Sequence, residues 1–359
     1  MNDQREIIRT LSQLDVPVLM ATVLHTEGPS YRATGTRALL SSHAQVGMLS
    51  GGCVEQALHE AATDLQAGEA TLFWYDGSDP DDLIFGLRSG CGGKVLVLLE
   101  KTIPQQIQPF FKTLWELIQE RDFAEVYTVV WTEGETVSRI DRMLFSDGFM
   151  VDSINADPFT ADAVVSCKQA LKKGIRQRSF QRDNCWVLRD VPEPAPRLLV
   201  CGYNPGSAAL LLPAQHLGWE IHYCDHRTLT VQQTPHVRLV ERDAYLAGFD
   251  LDDRTAVLAM THQLDLDMSA FKQLIDKPFF YFGVLGSRKR AEQFEKMLNP
   301  FTRKFWVDQH SRIFMPAGLD IHAETPEEIA LSICAEIQAV LRNRTGGPLS
   351  QSPRPIHNH

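Results

Sequence analysis

Long hydrophobic runs are missing from this 359-residue chain. The longest early apolar stretch, Val16 to Leu24, is far shorter than the roughly 20 residues that span a bilayer. The opening MNDQREIIRT carries charge where a secretory leader needs an apolar run, so the expected compartment is the cytoplasm, with no membrane partner. A basic excess is missing too. Lys and Arg total 35 against 45 Asp and Glu, and the resulting net charge of −10 argues against a nucleic-acid binder, which needs cations to meet phosphates. The seven cysteines are odd in number and include no CxxC pair, which fits reduced thiols rather than a disulfide framework. The chain also lacks a Walker loop, HExxH, a GxSxG elbow and clustered zinc-ligand spacing.

What is present is an ordinary globular composition, 44% hydrophobic and 22% charged, on a chain long enough for two or three domains. Thr26 to Glu55, TEGPSYRATGTRALLSSHAQVGMLSGGCVE, is dense in glycine and hydroxyl residues and ends where a helix begins. From Val54, the residues Val54, Ala57, Leu58, Ala61, Ala62 and Leu65 fall on one helical stripe, with Gly68 as a stop. Ser50, Gly51 and Gly52 therefore lie at a helix N-terminus, whose unpaired N–H groups and dipole favour an anion. Cys53 sits in the same field, which can acidify a thiol. A second glycine-flanked cysteine, Cys91, occurs in RSGCGGK, where Gly90, Gly92 and Gly93 can form an anion-binding nest. The plainer alternative makes both cysteines small buried hydrophobes and the glycines turns. Two such settings in one small domain favour function.

In chain order, a helix is expected over Ile7 to Leu14 and a strand over Val16 to Leu24. Thr36 to Leu40 and Gln45 to Leu49 read as paired strands, and Thr71 to Tyr75 and Lys94 to Leu99 as further strands. Together these make an N-terminal α/β domain over residues 1–100. Residues 101–190 show a helix at Gln105 to Glu120, strands at Glu125 to Trp131 and Val137 to Leu144, and a helix near Ala161 to Leu171. A strand at Cys185 to Leu188 follows. They show no chemical constellation and read as a connecting or dimerising segment.

VPEPAP, residues 191–196, marks a stiff boundary. Beyond it, Arg197 to Cys201 is a strand, Gly202 to Gly206 a tight loop, and Ser207 an N-cap for SAALLLPAQHLG. Trp219 to Cys224 is the next strand, with Asp225 23 residues after Gly202. This is the layout of a dinucleotide-binding βαβ unit, including the acidic residue that would meet a ribose. A GxGxxG fingerprint needs glycine at 204 and 207, however, where Asn204 and Ser207 stand. The alternative, the same fold with a loop that holds something else or nothing, is favoured by that departure, and NAD(P) remains a weak possibility. Strands at Thr255 to Met260 and Phe279 to Leu285 continue the pattern. His262, Asp265, Ser287 and Arg288 fall beyond strand ends, where such sheets hold ligands. Arg288 and Arg290 suit a phosphate or merely a solvated helix face. Thr325-Pro326-Glu327-Glu328 is a capping box that opens a helix to about Arg342, and Thr345 to His359 read as a disordered tail. The fold class is therefore α/β: an N-terminal α/β domain plus a C-terminal Rossmann-like, doubly wound parallel sheet over residues 191–342.

TEGPSYRATGTRALLSS, GMLSGGCVEQAL and SGCGGKVLVLLE resemble the N-terminal domain of the XdhC/CoxI family, maturation factors for xanthine and carbon monoxide dehydrogenases. RLLVCGYNPGSAALLLPAQHLGWEIHYCDHR, MTHQLDLD, FFYFGVLGSRKRA and PAGLDIHAETPEEIALSICAEI resemble that family's C-terminal Rossmann domain. The resemblance covers roughly residues 10–100 and 195–340. It implies a chaperone that binds molybdenum cofactor (molybdopterin or its nucleotide form), protects its sulfurated state and delivers it to a molybdenum hydroxylase apoenzyme. A cysteine desulfurase and a second copy of the chain are further implied partners. By matching motif, Cys53 and Cys91 would be cofactor-contacting or protective thiols. Gly51 and Gly52 would help hold the pterin phosphate, Ser30 and Arg32 would line the same site, and Ser50 and Gly92 are further cofactor-binding candidates. Gly202, Asn204 and Asp225 would belong to the Rossmann pocket, and Asp320 is a further cofactor-binding candidate. The chain departs from the family at Gly202-Tyr203-Asn204-Pro205, where members commonly read GAGH, and at His322, where glycine is common. A chaperone without turnover is the leading expectation. A nicotinamide-dependent oxidoreductase and an interaction scaffold for the hydroxylase are the alternatives.

Overall fold

The computed structural model describes residues 2–28, 30, 32–40, 45–49, 53–76, 93–172, 178–227, 237–242 and 244–352. They form two compact units, Met1–Pro194 and Ala195–Arg354. Among the described residues no helix is long and apolar enough to cross a membrane.

The first unit begins with α1 (Asn2–Ser12), β1 (Leu19–Glu27), β2 (Arg37–Leu40), β3 (Gln45–Val46), α2 (Cys53–Ala61), β4 (Ala70–Asp76) and β5 (Lys94–Lys101). Its strands form an antiparallel sheet in the order β3-β2-β1-β5-β4. The segment expected as a connector carries a second five-stranded sheet in the same unit. It consists of α3 (Pro104–Glu120), β6 (Glu125–Glu133), β7 (Thr136–Ser146), β8 (Phe149–Ile154), α4 (Pro158–Lys172), β9 (Ser179–Arg182) and β10 (Cys185–Asp190), with strand order β8-β7-β6-β10-β9.

Alternation along the strands decides what each face meets. Leu19, Ala21 and Val23 of β1 pack under Leu58 and Ala62 at the α2 side, while Leu24, Leu96 and Leu98 meet Val130, Trp186 and Leu188 of the second sheet. Ile7, Ile8 and Leu11 of α1 join Phe110, Phe111 and Leu114 of α3 over Met20, Leu39, Val126 and Leu144. Two buried ion pairs tie the sheets together: Arg37 of β2 to Asp190 of β10 at 2.5 Å, and Arg142 of β7 to Glu100 of β5.

In the second unit, β11 (Arg197–Cys201), α5 (Pro205–Ala208), α6 (Leu211–His216), β12 (Glu220–Asp225), β13 (Val237–Leu239) and β14 (Thr255–Ala259) come first. They are followed by α7 (Leu264–Lys272), β15 (Tyr281–Val284), α8 (Arg288–Lys296), α9 (Pro300–Asp308), β16 (Ile313–Phe314) and α10 (Pro326–Leu341). The six strands are parallel in the order β13-β12-β11-β14-β15-β16, with helices on both faces. Unbroken apolar runs such as RLLVC and TAVLA follow from burial on both faces. Numbered within the unit, the order is 3-2-1-4-5-6, so the direction of winding reverses between β11 and β14.

One expectation is corrected. Ser207 does not cap the helix after β11. Asn204 does, accepting from the Ser207 N–H, and Ser207 reciprocates from the third helical position. Pro205 at the first position marks this placement, and the helix breaks into α5 and α6 rather than running through. Of the tail, residues 345–352 are described and include a short 3-10 turn, Leu349–Gln351.

Candidate functional site

In the first unit the strand register gathers the ends that matter. Glu27 pairs with Lys94, Lys94 pairs with Asp76, and the Lys94 ammonium lies 2.7 Å from the Asp76 carboxylate. β1 therefore leaves, and β5 is entered, at one end of the sheet. The loop with Ser30 and Arg32 follows Glu27, and the segment holding Cys91 precedes Gly93. The Ser30 hydroxyl donates to the Arg32 carbonyl at 2.9 Å, and the Arg32 guanidinium sits 3.2 Å from Asp3 of α1. Gln4 donates to the Gly35 carbonyl at 2.9 Å. Gly35 has φ +88°, and any side chain there would run into the Asp190 carboxylate. α1 and the second sheet thus hold this loop from two sides.

Cys53 is the first residue of α2, as expected. Its side chain, together with Ser50, Gly51, Gly52, Cys91 and Gly92, lies outside the described residues. Glu55, which sequence reasoning passed over, is 7% exposed and accepts the Leu49 N–H at 3.0 Å, anchoring the approach to the helix. Its signal was a glutamate at the third helical position, where a carboxylate can reach back over the helix start. The other five cysteines are buried. Burial pushes the Cys167 thiol up to about 11 and those of Cys224 and Cys334 up to about 12, while Cys185 and Cys201 are also raised. These thiols are protonated and unreactive near neutrality, which leaves Cys53 and Cys91 as the candidates.

In the second unit, Gly202, Asn204, Asp225 and His262 come together where the winding reverses, at the carboxyl ends of β11, β12 and β14. Gly202 has φ +99°, and a Cβ there would meet the Met260 carbonyl and Thr261 Cα at 2.9 Å. Only glycine allows the β11 loop to lie so close to the end of β14. Asn204 donates from Nδ2 to the Met260 carbonyl at 3.0 Å. Asp225, 1% exposed, accepts from the Tyr203 N–H, the Arg227 N–H and the Arg227 guanidinium at 2.7–3.0 Å. Burial alone would raise this carboxyl; the Arg227 and backbone donors outweigh it and hold it below the usual carboxylate range.

His262 is exposed and has φ +60°, and its carbonyl accepts from Arg290 at 3.4 Å. Ser287 caps α8 by accepting the Arg290 N–H at 3.3 Å. Arg288 and Asp320 are exposed. Arg290 is committed to buried Asp267 at 2.5 Å, and Asp265 pairs with Arg242 at 3.2 Å. Arg227, Asp267 and Glu336 were not singled out from sequence. Glu336 of α10 accepts the Tyr281 hydroxyl at 2.7 Å and the Gly318 N–H at 2.9 Å, so α10 holds the GLDI turn that contains Asp320. Among the described residues no cluster of three His, Cys, Asp or Glu side chains could hold a metal ion.

The chain is similar to known proteins at both ends. Residues 198–337 match the family model described as the XdhC Rossmann domain, and residues 12–76 match that of the XdhC and CoxI family. It is 25% identical over 326 residues to a probable xanthine dehydrogenase subunit of Bacillus subtilis strain 168, covering 89% of this chain and 92% of that one. It is 30% identical over 165 residues to the uncharacterized protein YqeB of Escherichia coli K12, covering 45% of this chain and 30% of that protein. The crystal structure of a xanthine dehydrogenase from Bacillus halodurans superposes with a TM-score of 0.76 at 27% identity, covering 98% of each chain.

Proposed function

Because the chain belongs to the XdhC family, we propose that it is a maturation factor for a xanthine dehydrogenase-type molybdenum hydroxylase. In this reading it binds molybdenum cofactor through the glycine–cysteine segment, protects the sulfurated form and hands it to the apoenzyme. The observation that carries the reading is that the two matched regions contain SGGCVE and GVLGSRKR, the motifs of most specific chemistry and order.

The start of α2 supports this reading. A pyranopterin ends in a phosphate, and α2, nine residues long, opens at Cys53 beside Ser50, Gly51 and Gly52. Those residues would hold the phosphate, with Gly92, Ser30 and Arg32 beside them. Glu55, the acidic residue of the helix's first turn, is tied to the Leu49 amide. When bound, the cofactor supplies a labile terminal Mo=S group, and Cys53 and Cys91 would enclose it with soft sulfur. A nicotinamide-dependent activity draws support from the strand order alone, while the engagement of Asp225 weighs against it.

The test is cofactor content after purification from molybdate-supplied cells, read as fluorescent pterin released on oxidation. Wild type should carry near-stoichiometric pterin. Cys53→Ala or Cys91→Ala should lower it several-fold, and Cys167→Ala, a buried thiol of α4 packed on the second sheet, should not. Pterin-free wild type, or equal loading in all variants, would remove the cofactor from this site.

A further inference from the structure

The loop after β11 stands where a dinucleotide's pyrophosphate lies in folds of this strand order. Such a site works by offering free backbone N–H groups and an acidic residue for the ribose. Here the acidic residue and most of the loop's N–H groups are taken up by the chain itself. The Gly202 N–H donates to the Cys224 carbonyl at 2.8 Å, and the Tyr203 N–H to Asp225 at 2.8 Å. The Asn204 N–H donates to the Ser207 hydroxyl at 2.9 Å, and the Ser207 N–H to the Asn204 side chain at 3.1 Å. Pro205 has no N–H to offer. A carboxylate has about four acceptor positions, and Asp225 fills them with Tyr203 N–H, Arg227 N–H, and Arg227 Nε and Nη2. Arg227 also donates to the Tyr203 carbonyl at 2.6 Å, clasping the loop to the end of β12. Across the point of reversal, Asn204 bridges to the Met260 carbonyl of the β14 end.

We propose that this crevice is closed to NAD(H) and NADP(H) by its own residues: Asn204 and Pro205 abolish the pyrophosphate cradle, and Arg227 is the specificity-determining residue that withholds Asp225 from a ribose. The proposal stands independently of whether the first unit carries a pterin. It makes the exposed Arg227 a built-in substitute for the ligand. The sheet keeps the geometry of a nucleotide fold, and its polar groups serve to fasten three strand ends together. A ribose could gain Asp225 only by displacing the bidentate, charge-assisted Arg227 guanidinium from two of its four acceptor positions.

The experiment is a binding titration of the full chain with NADH, NADPH and ADP-ribose, by nicotinamide fluorescence and calorimetry. Wild type should show no saturable binding up to about 1 mM. Arg227→Ala, at a half-exposed position that folding tolerates, should bind ADP-ribose several-fold better than wild type. Arg227→Ala combined with Asn204→Gly and Pro205→Ala should gain about tenfold or more for NADH. Cooperative urea unfolding certifies each variant. Micromolar binding by wild type would overturn the proposal. So would a folded Arg227→Ala protein that binds ADP-ribose no better than wild type, whatever the fate of the triple variant.

Discussion

The two units solve the same burial problem with different chemistry. The first stacks two antiparallel sheets and places charge between them, with Arg37–Asp190 and Arg142–Glu100 joining strands far apart in sequence. The second packs largely apolar side chains on both faces of its parallel sheet and uses buried carboxylates to hold loops. Asp225 and Asp267 do so at the carboxyl ends of the strands, and Glu336 of α10 joins Tyr281 of β15 to Gly318. The difference reflects what needs specifying. Two sheets that meet face to face can slide, and an ion pair penalises the wrong alignment. A parallel sheet wound by right-handed crossovers is already aligned, and only its loops are free.

The comparison breaks most visibly where a core partner is removed. Asp190→Ala strands the buried Arg37 and should cost the first unit about 3–5 kcal/mol, and Arg37→Met with Asp190→Leu should recover most of that. Phe271→Ala in the second unit should cost a similar amount, about 3–5 kcal/mol, because Phe271 packs against Phe282, Phe294, Phe305 and Trp306 at 5.4–5.8 Å. No paired change of charge should rescue it. Urea unfolding of single and double variants checks both. An Arg37→Met, Asp190→Leu protein as unstable as Asp190→Ala would show that the pair does more than neutralise a buried charge.

A smaller effect separates the loop-holding carboxylates from the apolar core. Glu336→Gln weakens the bonds from the Tyr281 hydroxyl and the Gly318 N–H, and should cost about 1–3 kcal/mol. The loss should appear as faster hydrogen exchange over residues 316–321 before the sheet is affected. Equal acceleration across β15 and the turn would mean that Glu336 supports the core and not the loop.

These contrasts explain what could be read from the chain alone. RLLVC and TAVLA announce parallel strands because burial on both faces demands continuous apolar runs, and Thr325-Pro326-Glu327-Glu328 announces α10 because capping is local. The start of α2 at Cys53 was legible for the same reason. Asn204 and Ser207 are equally good caps by type, and Pro205 at the first helical position is the local feature that decides for Asn204. The second sheet is not legible as a unit, since the pairing of β6 with β10 joins residues more than fifty positions apart. No local pattern reveals that Asp190 braces Gly35, or that Arg227 answers Asp225 rather than a ribose. Both depend on which loop the fold brings near.

The clasp at Asp225 should also be visible in acid. Its carboxyl is held below the ordinary value, so its contribution is complete above the unfolded pKa of about 3.9 and disappears as the pH falls through the lower folded value. The urea midpoint of wild type should exceed that of Asp225→Asn by a constant margin above about pH 5, and the margin should shrink below about pH 3.9. A margin that instead grew on acidification would mean that Asp225 is destabilising when charged, which its four donors do not allow.

The smallest change tests whether local signals contribute in proportion to their legibility. Thr325 accepts the Glu328 N–H at 3.3 Å, while Glu328 returns to the Thr325 N–H at 3.0 Å and the Glu324 N–H at 2.8 Å. Thr325→Ala removes one acceptor at an exposed helix start and leaves both Glu328 bonds, so about 1 kcal/mol is expected from thermal or urea unfolding. Thr325→Asn should restore nearly all of it, because the amide oxygen can take the same N–H. A loss several times larger would mean that the cap also positions the GLDI turn through α10, and the second unit's edge would then be one cooperative structure rather than a set of separately fastened loops.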